Sequence, residues 1–120
     1  MSKKVLAIST SMRNNSNSEI LADYFLAGAK ESGHQVEKVN LKGKALFALD
    51  YQFRDIYMLT TAAENEASVP EKAVNGLKGW IDCFEKAQLT GTVFAGGVNH
   101  TGEIAEHHAL KDVYNMGKKI

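Results

Sequence analysis

Apolar residues recur along this chain in two rhythms. Val5-Leu-Ala-Ile8 is an unbroken apolar run and predicts a buried strand over Lys4 to Ser9. Ile20, Leu21, Tyr24, Phe25 and Ala29 then return at helical spacing, and Gly33 follows as a helix stop. Val36 to Leu41 predicts a second short strand, with Glu37 and Lys38 suited to an edge. Asp55 to Thr60 is a third strand-length run. Ser68-Val-Pro-Glu71 marks a helix start with Pro70 in its first turn, and Val74, Leu77, Ile81 and Phe84 form that helix's buried stripe. Thr92 to Ala95 predicts a fourth strand closed by Gly96-Gly97. A last helix is expected from about Glu106 to Gly117, with Leu110, Val113 and Tyr114 on one face.

The order β-α-β-connection-β-α-β-α argues for an α/β fold with parallel strands and right-handed crossovers. The connection from Lys42 to Arg54 breaks the rhythm. It carries several large apolar side chains yet shows neither helix caps nor a clear period. At 120 residues the chain is expected to form one domain over 1–120.

Charge and composition narrow the function. Acidic and basic residues balance at 14 each, which argues against a nucleic-acid or anionic-membrane surface. No stretch approaches the about 20 apolar residues of a membrane span, and no secretory apolar segment follows Met-Ser-Lys-Lys. A soluble cytoplasmic protein is the default expectation. Cys83 is the single cysteine, so neither an intramolecular disulfide nor a cysteine-built metal site is expected.

The candidate chemistry lies where the first apolar run ends. From Thr10 to Ser18 the chain is dominated by hydroxyls and amides, with one arginine, and the first helix begins at about Asn17. A strand, a polar loop and a helix N-terminus together make an anion site, because the first helical N–H groups lack intrahelical partners and the dipole favours negative charge. Ser9, Thr10, Ser11, Asn15, Asn17 and Ser18 add short donors, and Arg13 adds a cation of fixed geometry. The glycines of a dinucleotide fingerprint or a Walker A loop are missing. A terminal phosphate monoester therefore suits this loop. Ser16 to Glu19 also fits a capping box, which needs no ligand.

Other chemistry-bearing residues have ordinary explanations. His107 and His108 are adjacent, so on a helix they point about 100° apart and cannot chelate one ion in the i, i+4 manner. A solvated helix start is the expected role. His100 is expected as an exposed loop residue and His34 as a turn residue. Cys83 is expected to be a small buried hydrophobe, and Trp80 to be partly buried. Tyr51, Phe53 and Tyr57 are expected to pack against the sheet.

Val5 to Leu41 resembles the opening of the flavodoxin-like NAD(P)H-dependent FMN reductase family. Thr10-Ser-Met-Arg-Asn-Asn-Ser-Asn-Ser18 stands in for that family's Gly-Ser-Pro-Arg-x-x-Gly-Asn-Thr loop, and Gly33-His-Gln-Val36 fits its later turn. Tyr51 to Tyr57, Gly79 to Glu85 and Val93 to Val98 carry the likeness into the second half. The resemblance implies a three-layer flavodoxin-like sandwich, with FMN as cofactor and NADPH or NADH as co-substrate. By the same resemblance, Ser11, Arg13, Asn15, Asn17 and Ser18 would take the FMN phosphate. Thr61 and Ala62 would lie near the isoalloxazine ring, with Gly96 and Gly97 at the same carboxyl edge. Hydride chemistry would belong to the flavin, so no side chain is nominated as catalytic.

The chain also departs from the family, whose members usually carry a helix, a central strand and a flavin-contacting loop between the second strand and the next one seen here. In order 2-1-3-4-5 the absent strand belongs mid-sheet, leaving about four parallel strands. Two rows of backbone groups then need partners. Either the first strand pairs directly with Asp55–Thr60, or a second chain completes the sheet as a homodimer, by strand exchange. The alternative reading is a non-enzymatic dimeric α/β remnant that has lost flavin and acts as a binding or structural module.

Overall fold

Alternation sorts the strand residues by face. In the computed structural model, which describes residues 2–9, 15–40 and 54–120, Val5, Ala7 and Val36 turn toward a buried cluster. Leu6 and Ile8 turn the other way and are half-buried. The elements follow in the predicted order: β1 (Lys4–Ser9), α1 (Asn17–Glu31), β2 (Gln35–Asn40), β3 (Asp55–Thr61), α2 (Glu71–Ile81), β4 (Gln88–Ala95) and α3 (Ala109–Lys118). A single 3-10 turn, Glu103–Glu106, precedes α3.

All four expected strands are present and both pairings are parallel. β1 pairs with β2 from Lys4↔Gln35 to Ser9↔Asn40, and β3 pairs with β4 from Asp55↔Gln88 to Thr61↔Ala95. The second ladder slips by one residue between Ile56 and Tyr57. The pairs form two separate two-stranded sheets. Direct pairing of β1 with the Asp55–Thr61 strand is therefore not found among the described residues. The Lys42–Phe53 connection and its aromatic residues Tyr51 and Phe53 lie outside them.

Side-chain packing joins the two pairs. α1 packs on β1, β2 and β3, and α3 packs on α1 and β4. Leu21, Phe25, Leu26, Ala95, Val98, Ile104, Ala109, Leu110 and Val113 make one buried cluster between them. Tyr57 belongs to this side too, its ring centroid 5.3 Å from that of Phe25. α1 and α3 approach closely at two glycines. A methyl group at Gly28 would run into the Tyr114 carbonyl oxygen, and one at Gly117 into the Phe25 carbonyl oxygen. α2 packs on β4 and buries Ile81.

Helix ends follow local chemistry. Gly33 sits at φ 88° and closes α1 in a Schellman arrangement: the His34 N–H donates to Ala29 O at 3.1 Å and the Gly33 N–H to Lys30 O at 3.0 Å. His34 is more than a turn residue. It is buried, its Nδ1 accepts the Lys3 N–H at 3.1 Å, and its Nε2 lies 2.9 Å from Ile120 O. α2 is shorter than its sequence pattern predicts. Ser68 makes no side-chain cap, the helix starts only after Pro70, and it ends at Ile81. Cys83 therefore lies beyond the helix and is exposed, not buried.

Candidate functional site

Parallel pairing brings the ends of β1 and β2 together and those of β3 and β4 together, and the start of α1 joins the two through the loop after β4. Ser9 ends β1 and is buried. Asn15 adopts a left-handed backbone (φ 53°) and is exposed immediately before the helix. Ser16 is the N-cap: its Oγ accepts the Glu19 N–H at 3.2 Å and shares a 3.3 Å hydrogen bond with Ser18 Oγ. The first intrahelical bond runs from the Ile20 N–H to Ser16 O, so the N–H groups of Asn17 and Ser18 have no intrahelical acceptor. Thr10, Ser11 and Arg13 lie outside the described residues.

Only half of the predicted capping box forms. The Glu19 carboxylate turns instead toward Lys38, whose Nζ donates to Glu19 Oε1 at 2.9 Å and to Asp23 Oδ1 at 2.8 Å. Those bonds, to Asp23 first and Glu19 second, raise the Lys38 pKa above the ordinary value. The pairing offsets an acidic side chain at a helix start otherwise suited to anions. Glu19 Oε2 is buried without a hydrogen-bond partner among the described residues.

The loops after β3 and β4 are stitched together. The Ala62 N–H donates to Ala95 O (3.3 Å), the Val98 N–H to Ala62 O (3.0 Å) and the Gly97 N–H to Glu64 O (3.0 Å). Gly96 allows this approach. A Cβ there would lie 2.5 Å from Asn65 Oδ1 and 2.8 Å from Glu64 O. Gly97 needs its glycine for another reason, a φ of 75°. Thr61 is half-buried at the end of β3.

His107 braces this turn and is no solvated helix start. Its Nδ1 accepts the Ala109 N–H at 3.0 Å, which leaves Nε2 to donate to Gly96 O at 3.0 Å. Its backbone is extended, which is why the expected helix from Glu106 begins only at Ala109. His108 is exposed and stacks on His107 at 4.5 Å. No group of three or more metal-ligating side chains occurs among the described residues.

The sequence did not reveal what joins the two walls. Asn17 is buried, its Nδ2 donates to His100 O at 3.0 Å, and its Oδ1 accepts the N–H groups of Gly102 at 3.1 Å and Ile104 at 3.3 Å. The same loop is held from within by Glu103, whose carboxylate accepts the Asn99 N–H at 2.7 Å. That bond draws the Glu103 pKa below the usual carboxylate value. The β4–α3 loop is thereby fixed against the first turn of α1.

The start of α1 keeps donors free for an anion. Ser18 Oγ and the N–H groups of Asn17 and Ser18 form a compact donor set of the right chemistry for a phosphate monoester. The stitched turns 62–65 and 96–98 form a backbone wall at the ends of β3 and β4.

A family model described as NADPH-dependent FMN reductase matches residues 3–82, more than half of the chain. Among solved structures, the fold is similar to NAD(P)H:quinone oxidoreductase from Methanothermobacter marburgensis, with a TM-score of 0.63 and 12% sequence identity. That alignment covers 99% of this chain and 97% of the other. No curated protein matches the chain.

Proposed function

Because the chain belongs to the NADPH-dependent FMN reductase family, we propose that it binds FMN at the carboxyl rim and works as a shortened flavodoxin-like oxidoreductase. Ser18 and the N–H groups that open α1, with Ser11, Arg13 and Asn15 before them in sequence, hold the phosphate. The backbone at Thr61, Ala62, Gly96 and Gly97 faces the ring. When bound, FMN supplies the hydride chemistry, with NADPH or NADH as donor. The chain's own part is to bind, orient and exclude water, and no side-chain acid or base is required. The observation that carries this reading is the meeting of the α1 start and both loops at one rim.

A second copy of the chain completes the sheet and the ring end of the site in this proposal. The separation of the two strand pairs supports it. The cytoplasm is the matching compartment. No helix among the described residues is long and apolar enough to cross a membrane.

Fluorescence quenching of FMN titrated with protein tests the reading. Saturable quenching is expected, and Arg13→Ala should weaken it about tenfold or more, as the loss of a charge-assisted hydrogen bond does. NADPH oxidation by the loaded protein, and light scattering at twice the 13.1 kDa of one chain, complete the picture. Absence of quenching at high micromolar FMN overturns it and favours the flavin-free α/β module.

A further inference from the structure

We infer that Asn17 is a positioning residue that sets the distance between the two walls of the rim, and that its side chain does not ligate phosphate. The inference rests on the flavin reading above and refines it. An asparagine side chain offers two acceptor lone pairs and two donor hydrogens. Both lone pairs of Oδ1 are used, by the N–H groups of Gly102 and Ile104, and Nδ2 is committed to His100 O. The residue is 2% exposed, so what remains of its capacity is closed to a ligand.

The partners belong to a loop 83 to 87 residues away in sequence. They anchor that loop at three points. Ile104 is fully buried in the main core, and Gly102 turns the chain at φ 92°. Between β4 and this anchor lie the Gly96–Gly97 turn and the exposed residues Asn99, His100 and Thr101. Asn17 thus occupies the first position of the phosphate-side helix while its amide holds the segment that continues the ring-side wall. Removing the amide leaves the phosphate donors of α1 in place and detaches the 100–104 end of the wall from that helix.

FMN and riboflavin separate the two roles, because riboflavin has the ring without the phosphate. Both flavins are titrated by fluorescence quenching against wild type, Asn17→Ala and Ser18→Ala, with amide hydrogen exchange followed by NMR. Asn17→Ala is expected to weaken both flavins by the same factor, about tenfold, and to speed exchange at Gly102 and Ile104 by a similar factor, as loss of one or two hydrogen bonds would. Ser18→Ala should weaken FMN and spare riboflavin.

A loss of FMN affinity in Asn17→Ala with riboflavin unchanged overturns the inference and leaves the flavin reading intact. So does faster exchange with both affinities unchanged. A wild type that binds neither flavin overturns the reading itself and the inference with it. Should Asn17→Ala fail to fold, Asn17→Asp keeps both acceptor bonds and turns the donor toward His100 O into an acceptor. Riboflavin, on which the added charge meets no phosphate, should then bind more weakly than to wild type. Equal affinity overturns the inference.

Discussion

Replacing Gly117 with alanine tests the seam between α1 and α3. A Cβ at this position would penetrate the Phe25 carbonyl oxygen and stand 3.0 Å from Ala29 N. Both neighbours are helix backbone and cannot rotate aside. The helices must part by on the order of 1 Å, and a gap of that size forfeits much of each dispersion contact across it. Leu21, Phe25, Leu26 and Val113 line the seam, and each contributes about 1.5–3 kcal/mol by burial. Losing a fraction of that from several residues gives about 2–4 kcal/mol, in line with overpacked cores. Alanine's better helix propensity returns about 1 kcal/mol. The net is a loss of about 1–3 kcal/mol, several degrees in Tm for a chain this size. Thermal and urea unfolding followed by far-UV circular dichroism reads it directly. Gly79→Ala in α2 is the control: a Cβ there meets nothing within 4 Å, so the same propensity should stabilise by up to about 1 kcal/mol. Gly117→Ala with a midpoint at or above wild type would refute the close-packed seam.

Two further outcomes follow from groups described above. His107→Phe keeps a ring but removes both the acceptor for the Ala109 N–H and the donor to Gly96 O. Urea unfolding should show a loss of about 1–3 kcal/mol, the cost of leaving partly buried polar groups unpaired. Lys38→Met should destabilise the chain at neutral pH, because the Glu19 side chain is only 12% exposed and loses its cation. Lys38 holds its proton more tightly when folded, so its contribution is complete below the ordinary lysine value of 10.5 and is lost as pH rises through the higher folded value. The two proteins should therefore converge in stability on alkaline titration. A gap that stays constant up to strongly alkaline pH would contradict the ion pair.

The elements were legible because each is written locally. The Val5–Ile8 run, the stripe from Ile20 to Ala29 and Gly33 all act within a few residues, and α1 starts at the Asn17 its cap predicts. The anion-suited helix start was legible for the same reason. Misreadings arose where tertiary partners outbid local ones. Glu19 fits a capping box, yet Lys38 on β2 takes its carboxylate. His107 lies inside a helical pattern, yet its extended backbone lets one ring cap α3 and reach Gly96 O. Phe84 fits the α2 stripe by spacing, but the helix ends at Ile81 and leaves Cys83 exposed. The Asn17 anchor was beyond any local pattern, since the groups it satisfies are main-chain N–H and C=O, which every sequence supplies.

The two strand pairs have one more consequence. Each is a contiguous β-α-β stretch with one ladder of its own, and among the described residues no ladder rung crosses from one stretch to the other. What unites them is oily contact through α1 and α3, which has no preferred direction. Directional locks are added at the two ends of the seam, by Asn17 at the rim and by Ser32 and His34, which bond to Lys118 O and Ile120 O, at the far end. The molecule is built like two plates on a greased bearing, pinned at the far end and latched at the rim. Its relative tilt should yield more readily than either plate bends, and a change at the latch should be felt as a change of aperture.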